Sequence, residues 1–283
     1  MTDNNQTNAD QRTVLGFSQE WKYFDQSNLQ ESELQALFYS YFKIFPFELL
    51  KEESIGADIG CGSGRWAKLI AAKICKLYCV DANSETLSVA KKNLSEHNNI
   101  EFVCAFLNDM PIANESLDFA YSLGVLHHIP DTFSGIQSCV QKLKEGAPFL
   151  AYLYYAFDNK PVWFRLIWKF SDYLRKFISK LPFKLKLTIS QLIAVLIYFP
   201  LARSACLLER INIKIENFPL SSYRNRSLYV MRTDALDRFG TRLEQRFTQQ
   251  QIISMFENAG LENIKIDPET PYWCVLGYKA KKQ

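Results

Sequence analysis

The chain has 283 residues, 48% of them hydrophobic, and its 33 basic and 30 acidic side chains leave a formal net charge of +3. So small an excess of positive charge does not indicate a nucleic-acid partner, and we expect none. The length suits two domains or one α/β domain with an insertion. The seven cysteines form no CxxC pair, and we recognise no signal peptide. We therefore expect a reduced, cytoplasmic protein without disulfides or a metal site.

The N-terminal part of the chain changes character within a short distance. Residues 1–20 are predicted to be disordered, because the first twelve are too polar to bury much surface. Aromatic residues, among them Phe17 and Trp21, then precede a predicted helix from Glu31 to Phe45. This segment either packs on the fold as an ordinary helix or forms a flap that excludes water from a binding site.

A glycine-rich turn follows, in the sequence Ala57-Asp58-Ile59-Gly60-Cys61-Gly62-Ser63-Gly64. It is predicted to join a buried strand to a helix, so that bare main chain can lie against a ligand. The spacing G-x-G-x-G differs from the G-x-G-x-x-G of dinucleotide-binding folds, which disfavours a nicotinamide-dependent dehydrogenase. The next apolar run ends in Asp81, whose carboxylate could accept both hydroxyls of a ribose.

Three ordered motifs resemble those of the class I S-adenosylmethionine-dependent methyltransferases, in the subgroup that includes the ubiquinone and menaquinone methyltransferases. The motifs are the glycine-rich turn, Val80-Asp81-Ala82, and the stretch 118–131 with its double histidine. The resemblance implies an α/β fold, a doubly wound, mostly parallel seven-stranded sheet of the Rossmann-like methyltransferase type whose last strand is antiparallel. It also implies S-adenosyl-L-methionine as the cofactor.

The same resemblance implies which residues bind that cofactor. The main chain of the turn would hold the methionine moiety, Asp81 the ribose, and Asp58 the turn and the ligand's amino group. An acid that often meets the adenine in this family is replaced here by Phe106. The adenine edge would then be read near Leu107 and Asn108, unless that stretch is only a surface turn. The expected cofactor-binding residues are Asp58, Gly60, Cys61, Gly62, Gly64, Asp81, Ala82, Leu107, Asn108 and Leu123.

Two adjacent histidines, His127 and His128, follow the predicted fourth strand. Ligands of an open parallel sheet bind beyond the carboxyl ends of its strands, so both are candidate catalytic residues. Either could act as a general base, because the pKa of histidine lies near physiological pH. Alternatively, they bond to neighbouring backbone and shape the loop. With His97 they offer no metal-ligand spacing, and we expect no metal.

The alternating strands and helices of the predicted core are interrupted after the fifth strand, and this interruption divides the chain into regions. We predict a cofactor-binding core at 21–155, an inserted helical lid or acceptor region at 156–247, and the C-terminal part of the core at 248–283. A charged stretch at 229–247 is predicted as a salt-bridged helix or as part of an acceptor pocket.

The insertion begins with a predicted amphipathic helix from Trp163 to Ile178, whose other face is cationic. Its apolar face either closes over the core as a lid or docks on an anionic membrane, and a lid could also accommodate a lipophilic acceptor. The uncharged stretch 188–202 is judged too short to span a membrane and is interrupted by Pro200.

These patterns predict methyl transfer from S-adenosylmethionine to a small-molecule acceptor, lipophilic or lipid-linked because the insertion is rich in apolar residues. A soluble polar acceptor such as a saccharide, or a binding module without catalysis, remains the alternative. The expected location is cytoplasmic and peripheral at the inner membrane surface, with transient membrane contact through residues 160–213.

Overall fold

The computed structural model describes residues 8–158, 160–269 and 273–282. The predicted disorder of residues 1–7 thus lies outside the described part. The chain divides into two compact units. The first comprises the chain up to residue 27, residues 34–156 and the chain from residue 243 onward, and the second comprises residues 28–33 and 157–242.

The first unit is built on a seven-stranded sheet with the order β3-β2-β1-β4-β5-β7-β6. Its strands are β1 (Ile55–Ile59), β2 (Lys76–Asp81), β3 (Ile100–Cys104), β4 (Phe119–Leu123), β5 (Pro148–Leu153), β6 (Leu261–Asp267) and β7 (Trp273–Lys279). Strand β7 pairs antiparallel with both of its neighbours, and the remaining pairs are parallel. The prediction of a mostly parallel sheet with its last strand antiparallel is confirmed.

The helices of the chain flank this sheet or build the second unit. They are α1 (Gln11–Tyr23), α2 (Glu31–Tyr41), α3 (Ala67–Ala71), α4 (Ser84–Asn93), α5 (Thr132–Lys142), α6 (Val162–Ile178), α7 (Phe183–Ile193), α8 (Phe199–Arg210), α9 (Leu228–Gly240) and α10 (Gln249–Asn258). Those from α6 to α9 belong to the second unit, and α2 begins in it.

The strand order reverses between β1 and β4, which creates a switch point at the carboxyl ends of these two strands. From β1 the chain first adds β2 and β3 on one side and then returns to place β4 on the other. At this edge the buried Ser122 hydroxyl donates a hydrogen bond of 2.9 Å to the Ile59 carbonyl. Ligands of open α/β sheets bind at such a point, because the loops on its two sides diverge there.

Helix α1 corrects the prediction that residues 1–20 are disordered. Its N-terminus is capped by Asp10, whose side chain accepts the Thr13 N–H at 2.7 Å. Just before it, the Asn8 amide exchanges two hydrogen bonds of 2.8 Å with the backbone of Asp131. The segment is too polar to bury a large apolar surface, but specific polar contacts to distant residues order it.

The second unit has its own small core, formed where α9 packs against α7 and the turn that follows it. The buried residues of that core are Ile178, Ala194, Tyr198, Ala202, Met231, Ala235 and Phe239. Arg238 of α9 lies in contact with Asp172 of α6, with 3.7 Å between Nη1 and Oδ1. The stretch predicted as a salt-bridged helix is therefore helical up to Gly240, and its Arg238 forms an ion pair with Asp172 inside the second unit.

Residues 183–210 form one helical segment of 28 residues with a mean hydropathy of 1.7 in its apolar window. The prediction that Pro200 interrupts this stretch is wrong. A π-helical turn at 194–198 precedes the proline, and the Phe199 N–H donates to the Ala194 carbonyl five residues back. The wider turn accommodates a residue that has no N–H to give. In the described part of the chain this is the one helix long and apolar enough to cross a membrane, a test that core helices also pass.

Helix α6 is amphipathic, but the structure reverses the expected use of its faces. Asp172 and Arg175 point into the second unit, with side chains 13% and 4% exposed. Phe170 and Phe177 point outward and are 66% and 67% exposed. The interpretation that the apolar face of this helix packs inward is therefore wrong, because buried ion pairs and hydrogen bonds hold Asp172 and Arg175 inside.

Candidate active site

The glycine-rich turn between β1 and α3 adopts backbone angles that suit glycine. Gly60, Gly62 and Gly64 have φ angles of +79°, +54° and +77°. The N–H groups of Gly60 and Cys61 both donate to the Val80 carbonyl, at 2.8 and 2.9 Å. These bonds fasten the turn to the end of β2, so that the bare main chain of the turn lies at the switch point of the sheet.

Asp81 ends β2 and lies beside this turn. Its Oδ2 accepts the Gly62 N–H at 3.2 Å and its Oδ1 accepts the Asn83 N–H at 3.0 Å. Desolvation raises the pKa of Asp81 to about 6, although backbone N–H groups oppose the rise. The carboxylate is thus mostly ionised at pH 7, and each oxygen retains a lone pair for a further donor such as a ribose hydroxyl.

Asp58 is the second carboxyl group at the turn and is 1% exposed. Burial raises its pKa to about 8, against a smaller lowering from the Tyr121 hydroxyl on the neighbouring strand. Its Oδ2 atom has no hydrogen-bond partner among the described residues. The two acids therefore differ in charge at pH 7, Asp58 being mostly protonated and Asp81 mostly ionised.

Trp21 of helix α1 covers the turn. A Cβ atom added at Gly62 would lie 3.0 Å from the indole ring of Trp21. The guanidinium of Arg65 stands 5.7 Å from the Trp21 ring and 4.3 Å from the Trp66 ring. The first unit thus has an aromatic and cationic cover over its glycine-rich turn, which agrees with the interpretation of this N-terminal segment as a flap.

The remaining predicted cofactor residues are less closely grouped. Leu123 ends β4 and Leu107 begins the short helical turn Leu107–Asp109, and both are 9% exposed. Ala82 is half-buried directly after Asp81. Asn108 is exposed, and its side chain accepts the Ser138 hydroxyl of α5 at 3.4 Å. The structure therefore leaves Asn108 on the surface and engaged with a neighbouring helix.

The two histidines lie in the short helical turn Leu126–His128 just beyond β4 and have different surroundings. His128 is held by its Nδ1, which is 2.7 Å from the Leu243 carbonyl, and its ring packs 5.0 Å from Phe17. His127 is fully buried and stacks on Tyr154 with 3.8 Å between ring centroids. Neither ring nitrogen of His127 completes a hydrogen bond of normal geometry with a described residue.

The charge state of His127 follows from its burial. Desolvation holds its pKa well below the usual 6.5, electrostatic interaction with His128 and with the Arg246 guanidinium adds to this effect, and a backbone hydrogen bond with Tyr152 opposes it. The imidazole is therefore neutral at pH 7, with a lone pair on one nitrogen and a proton on the other. This is the state that a general base requires.

The comparisons with known proteins agree with this geometry. Residues 57–151 match the family model described as a methyltransferase domain. The ubiquinone biosynthesis O-methyltransferase of Nitrosomonas europaea is 31% identical over 157 residues, which are 51% of this chain and 63% of that protein. The chain thus spans less than two thirds of the length of the curated relatives that it matches.

The chain carries a class I S-adenosylmethionine-dependent methyltransferase domain. Two solved structures share its fold: a candidate methyltransferase of Bacillus halodurans and a candidate S-adenosyl-L-methionine-dependent methyltransferase of Methanococcus maripaludis. The first has a TM-score of 0.54 at 13% identity and covers 87% of this chain and 100% of its own. The second has a TM-score of 0.51 at 14% identity and covers 94% of both chains. The predictions of family, enzyme class and cofactor are confirmed for this methyltransferase domain.

The residues of the methyltransferase domain fit S-adenosylmethionine. The turn offers bare main chain, and Asp81 offers an ionised carboxylate. Asp58 offers a buried oxygen that has no hydrogen-bond partner among the described residues. The conformation at Gly62, with φ of +54° and the Trp21 ring at contact distance, leaves no room for a side chain between turn and cover. Among the described residues there is no cluster of His, Cys, Asp or Glu that could hold a metal ion.

Sequence reasoning missed two residues of the first unit, Glu244 and Arg246. They form an ion pair of 2.8 Å with side chains only 2% and 6% exposed. Arg246 also lies 4.7 Å from the Tyr154 ring, on which His127 stacks. The local sequence Leu-Glu-Gln-Arg-Phe at 243–247 has neither helical nor strand periodicity, so no local signal marks these two residues.

Proposed function

We propose that the protein transfers a methyl group from S-adenosylmethionine to a hydroxyl oxygen of a lipophilic or lipid-linked small molecule. The observation that carries this proposal is the neutral, buried His127, whose ring nitrogens complete no hydrogen bond of normal geometry with the described residues, beyond the same strand ends at which the cofactor residues lie. The Nitrosomonas relative is named a ubiquinone biosynthesis O-methyltransferase, which supports an oxygen acceptor and a quinone-like ring.

The geometry of the turn supports the following cofactor-binding roles, which belong to the proposal. The main chain from Gly60 to Gly64 would hold the methionine moiety, with Cys61 contributing its backbone, and Asp81 would accept the ribose hydroxyls. Asp58 would face the ligand's amino group, while Leu107 and Leu123 would contribute apolar surface. S-adenosylmethionine, when bound, supplies a methyl group made electrophilic by a sulfonium. The protein supplies orientation and a site without bulk water.

The proton of the acceptor hydroxyl would pass to His127. A neutral imidazole can take it at a ring nitrogen, which leaves the acceptor oxygen more nucleophilic. Stacking on Tyr154 holds the ring in place at 3.8 Å. The bond from His128 to Leu243 and the backbone bond of 2.9 Å from the Gln245 N–H to the His127 carbonyl hold the loop itself. In this arrangement His128 positions His127 rather than touching the acceptor.

A second consequence concerns where the protein works. A lipophilic acceptor resides in a membrane, so we propose a peripheral position at a membrane surface with contact through residues 160–213. Residues 156–247 would then supply the acceptor region. Methylation of a soluble polar acceptor and cofactor binding without catalysis are the competing functions.

Transfer of label tests the proposed function. The protein is incubated with methyl-labelled S-adenosylmethionine and separately with lipid and polar extracts of the source cells, and products are analysed by mass spectrometry. We expect label in the organic phase, on an oxygen of a ring-bearing lipid. Label confined to the aqueous phase would instead establish a soluble acceptor. Intact cofactor binding with no transfer to either extract would establish a binding module.

Replacing Asp81 by alanine should weaken binding of S-adenosylhomocysteine at least tenfold. The variant loses charge-assisted hydrogen bonds to the ligand worth roughly 1.5–3 kcal/mol each, and it also releases the Gly62 N–H. Calorimetry on the folded variant measures the affinity. Glu101→Ala on the adjacent strand β3 is the matched control, because the Glu101 carboxylate is 53% exposed and pairs with Lys76 on the surface. Equal affinities in the two variants would remove Asp81 from the site.

A further inference from the structure

The outward face of helix α6 is unusually apolar for a surface helix. Eight of the 17 residues of the helix are large apolar side chains exposed to solvent. Two of them, Trp163 and Tyr173, are amphipathic aromatic rings with exposures of 47% and 73%. The exposed apolar residues are Val162, Trp163, Leu166, Ile167, Phe170, Tyr173, Leu174 and Phe177. Contiguous apolar surface of this kind marks an interaction site.

The inward face of α6 explains why this apolar face stays outside. Arg175 pairs with Asp172 at 2.7 Å and donates through Nη1 to the carbonyls of Thr241 and Arg242, at 3.0 and 3.1 Å. These bonds satisfy a guanidinium that is 4% exposed. A rotation of the helix that buried its apolar residues would expose or orphan this network, at a high cost in free energy. The outward orientation is thus built into the unit.

The charges on the outward face are all positive. Arg165, Lys169 and Lys176 are exposed between the apolar residues, and Lys176 also pairs with Asp172 at 3.1 Å. The helix is described throughout, and Asp172, its one acidic residue, lies on the inward side. Apolar and aromatic side chains interleaved with cations are the pattern of helices that lie in the interface of an anionic bilayer.

The charge pattern also decides between a membrane and a second copy of the chain. An isologous dimer through this face would bring Arg165, Lys169 and Lys176 of one copy close to the same cations of the other. Like charges at such an interface oppose association, whereas anionic lipid headgroups attract them. A bilayer also buries every apolar residue of the face at once, without requiring shape complementarity.

We propose that α6 is a membrane-docking helix, which inserts its outward face into the interfacial region of an anionic bilayer and lies parallel to its surface. The proposal deepens the proposed function by naming the face that contacts the lipid, and it does not depend on methyl transfer. Docking of this kind is reversible, because the helix remains anchored to its own unit through Asp172 and Arg175.

Vesicle sedimentation of the full chain tests the docking helix. We expect binding to vesicles of phosphatidylcholine with about 30% phosphatidylglycerol, little binding to phosphatidylcholine alone, and weakening by salt. Leu166→Gln with Phe170→Gln should lower the partition coefficient about a hundredfold, because two large apolar side chains no longer insert. The matched control is Leu15→Gln with Leu49→Gln, which alters side chains of 56% and 48% exposure in the first unit.

A second pair of variants separates charge from apolar insertion. Arg165→Glu with Lys169→Glu should lower binding to anionic vesicles at least tenfold and leave binding to neutral vesicles unchanged. Circular dichroism and cofactor affinity equal to those of the parent confirm that the variants fold.

Three results would overturn the proposal. The first is a parent protein that does not sediment with anionic vesicles. The second is a parent protein that is dimeric by analytical ultracentrifugation while the Leu166→Gln with Phe170→Gln variant is monomeric. The third is bound protein that resists alkaline carbonate, which would assign attachment to a spanning segment at 183–210. All three are read without methyl donor or acceptor, so they leave the proposed function to its own test.

Discussion

Replacing Gly62 by valine should abolish measurable binding of S-adenosylhomocysteine. At φ of +54° a branched residue is strained by about 1–2 kcal/mol, and its Cβ would already stand 3.0 Å from the Trp21 indole. The two γ-methyl groups would displace Trp21 and distort the turn, whose bare main chain must lie against the cofactor. Calorimetry of the purified variant measures the loss.

Gly146→Val is the matched control for this prediction. Gly146 has a φ of +73°, close to that of Gly62, but a Cβ atom added there meets nothing within 4 Å. It should lose a similar amount of folding stability, measured by thermal unfolding, and retain cofactor affinity. If both variants bind alike, the turn does not contact the ligand, and the assignment of Gly60 to Gly64 fails.

Replacing His127 by alanine should lower kcat by roughly 10²–10⁴-fold, the usual contribution of a general base. Cofactor affinity should stay within about threefold, because His127 is not assigned to the cofactor. Methyl transfer to the acceptor identified from labelled extracts measures kcat, and calorimetry measures the affinity. A kcat within threefold of the parent would show that transfer needs orientation alone.

The pH dependence distinguishes His127 as a base from His127 as a packing residue. Its pKa lies well below 6.5, so the neutral form persists as the pH falls from 8 through 6.5. As far as His127 is concerned, kcat should therefore stay level over that range and fall only at lower pH. His128→Asn is the comparison variant, since it disturbs the bond to Leu243. It should lower kcat less than His127→Ala and leave the acid limb in place.

The cofactor half of the site could be predicted because its signals are local. A glycine-rich turn requires particular residues at consecutive positions, and Asp58 and Asp81 lie at the carboxyl ends of strands that are adjacent in the sheet. The register of a parallel sheet then brings the two acids to one edge without any knowledge of long-range packing. The Asp81 contact with Gly62, at 3.2 Å, is of this kind.

The environment of the histidines could not be predicted in the same way. His127 and His128 are neighbours in sequence, yet one stacks on Tyr154 and the other bonds to Leu243, which is 115 residues away. The pKa of His127 depends on burial and on Arg246, a residue from the far side of the insertion. Such contacts join segments that no local pattern relates, so only the folded chain assigns the base.

The sequence by itself determined the class of fold and the succession of strands and helices along the chain, because strand ends, glycine turns and alternating elements are encoded within short stretches. Its three ordered motifs, through their resemblance to a known family, indicated the cofactor. Only the tertiary structure decided which face of α6 is buried. Hydrophobic periodicity reports that a helix has two faces, but not which of them is inside. Here the orientation of the helix depends on Arg175, whose buried guanidinium donates hydrogen bonds to the carbonyls of Thr241 and Arg242. A buried charge without such partners would cost a large free energy.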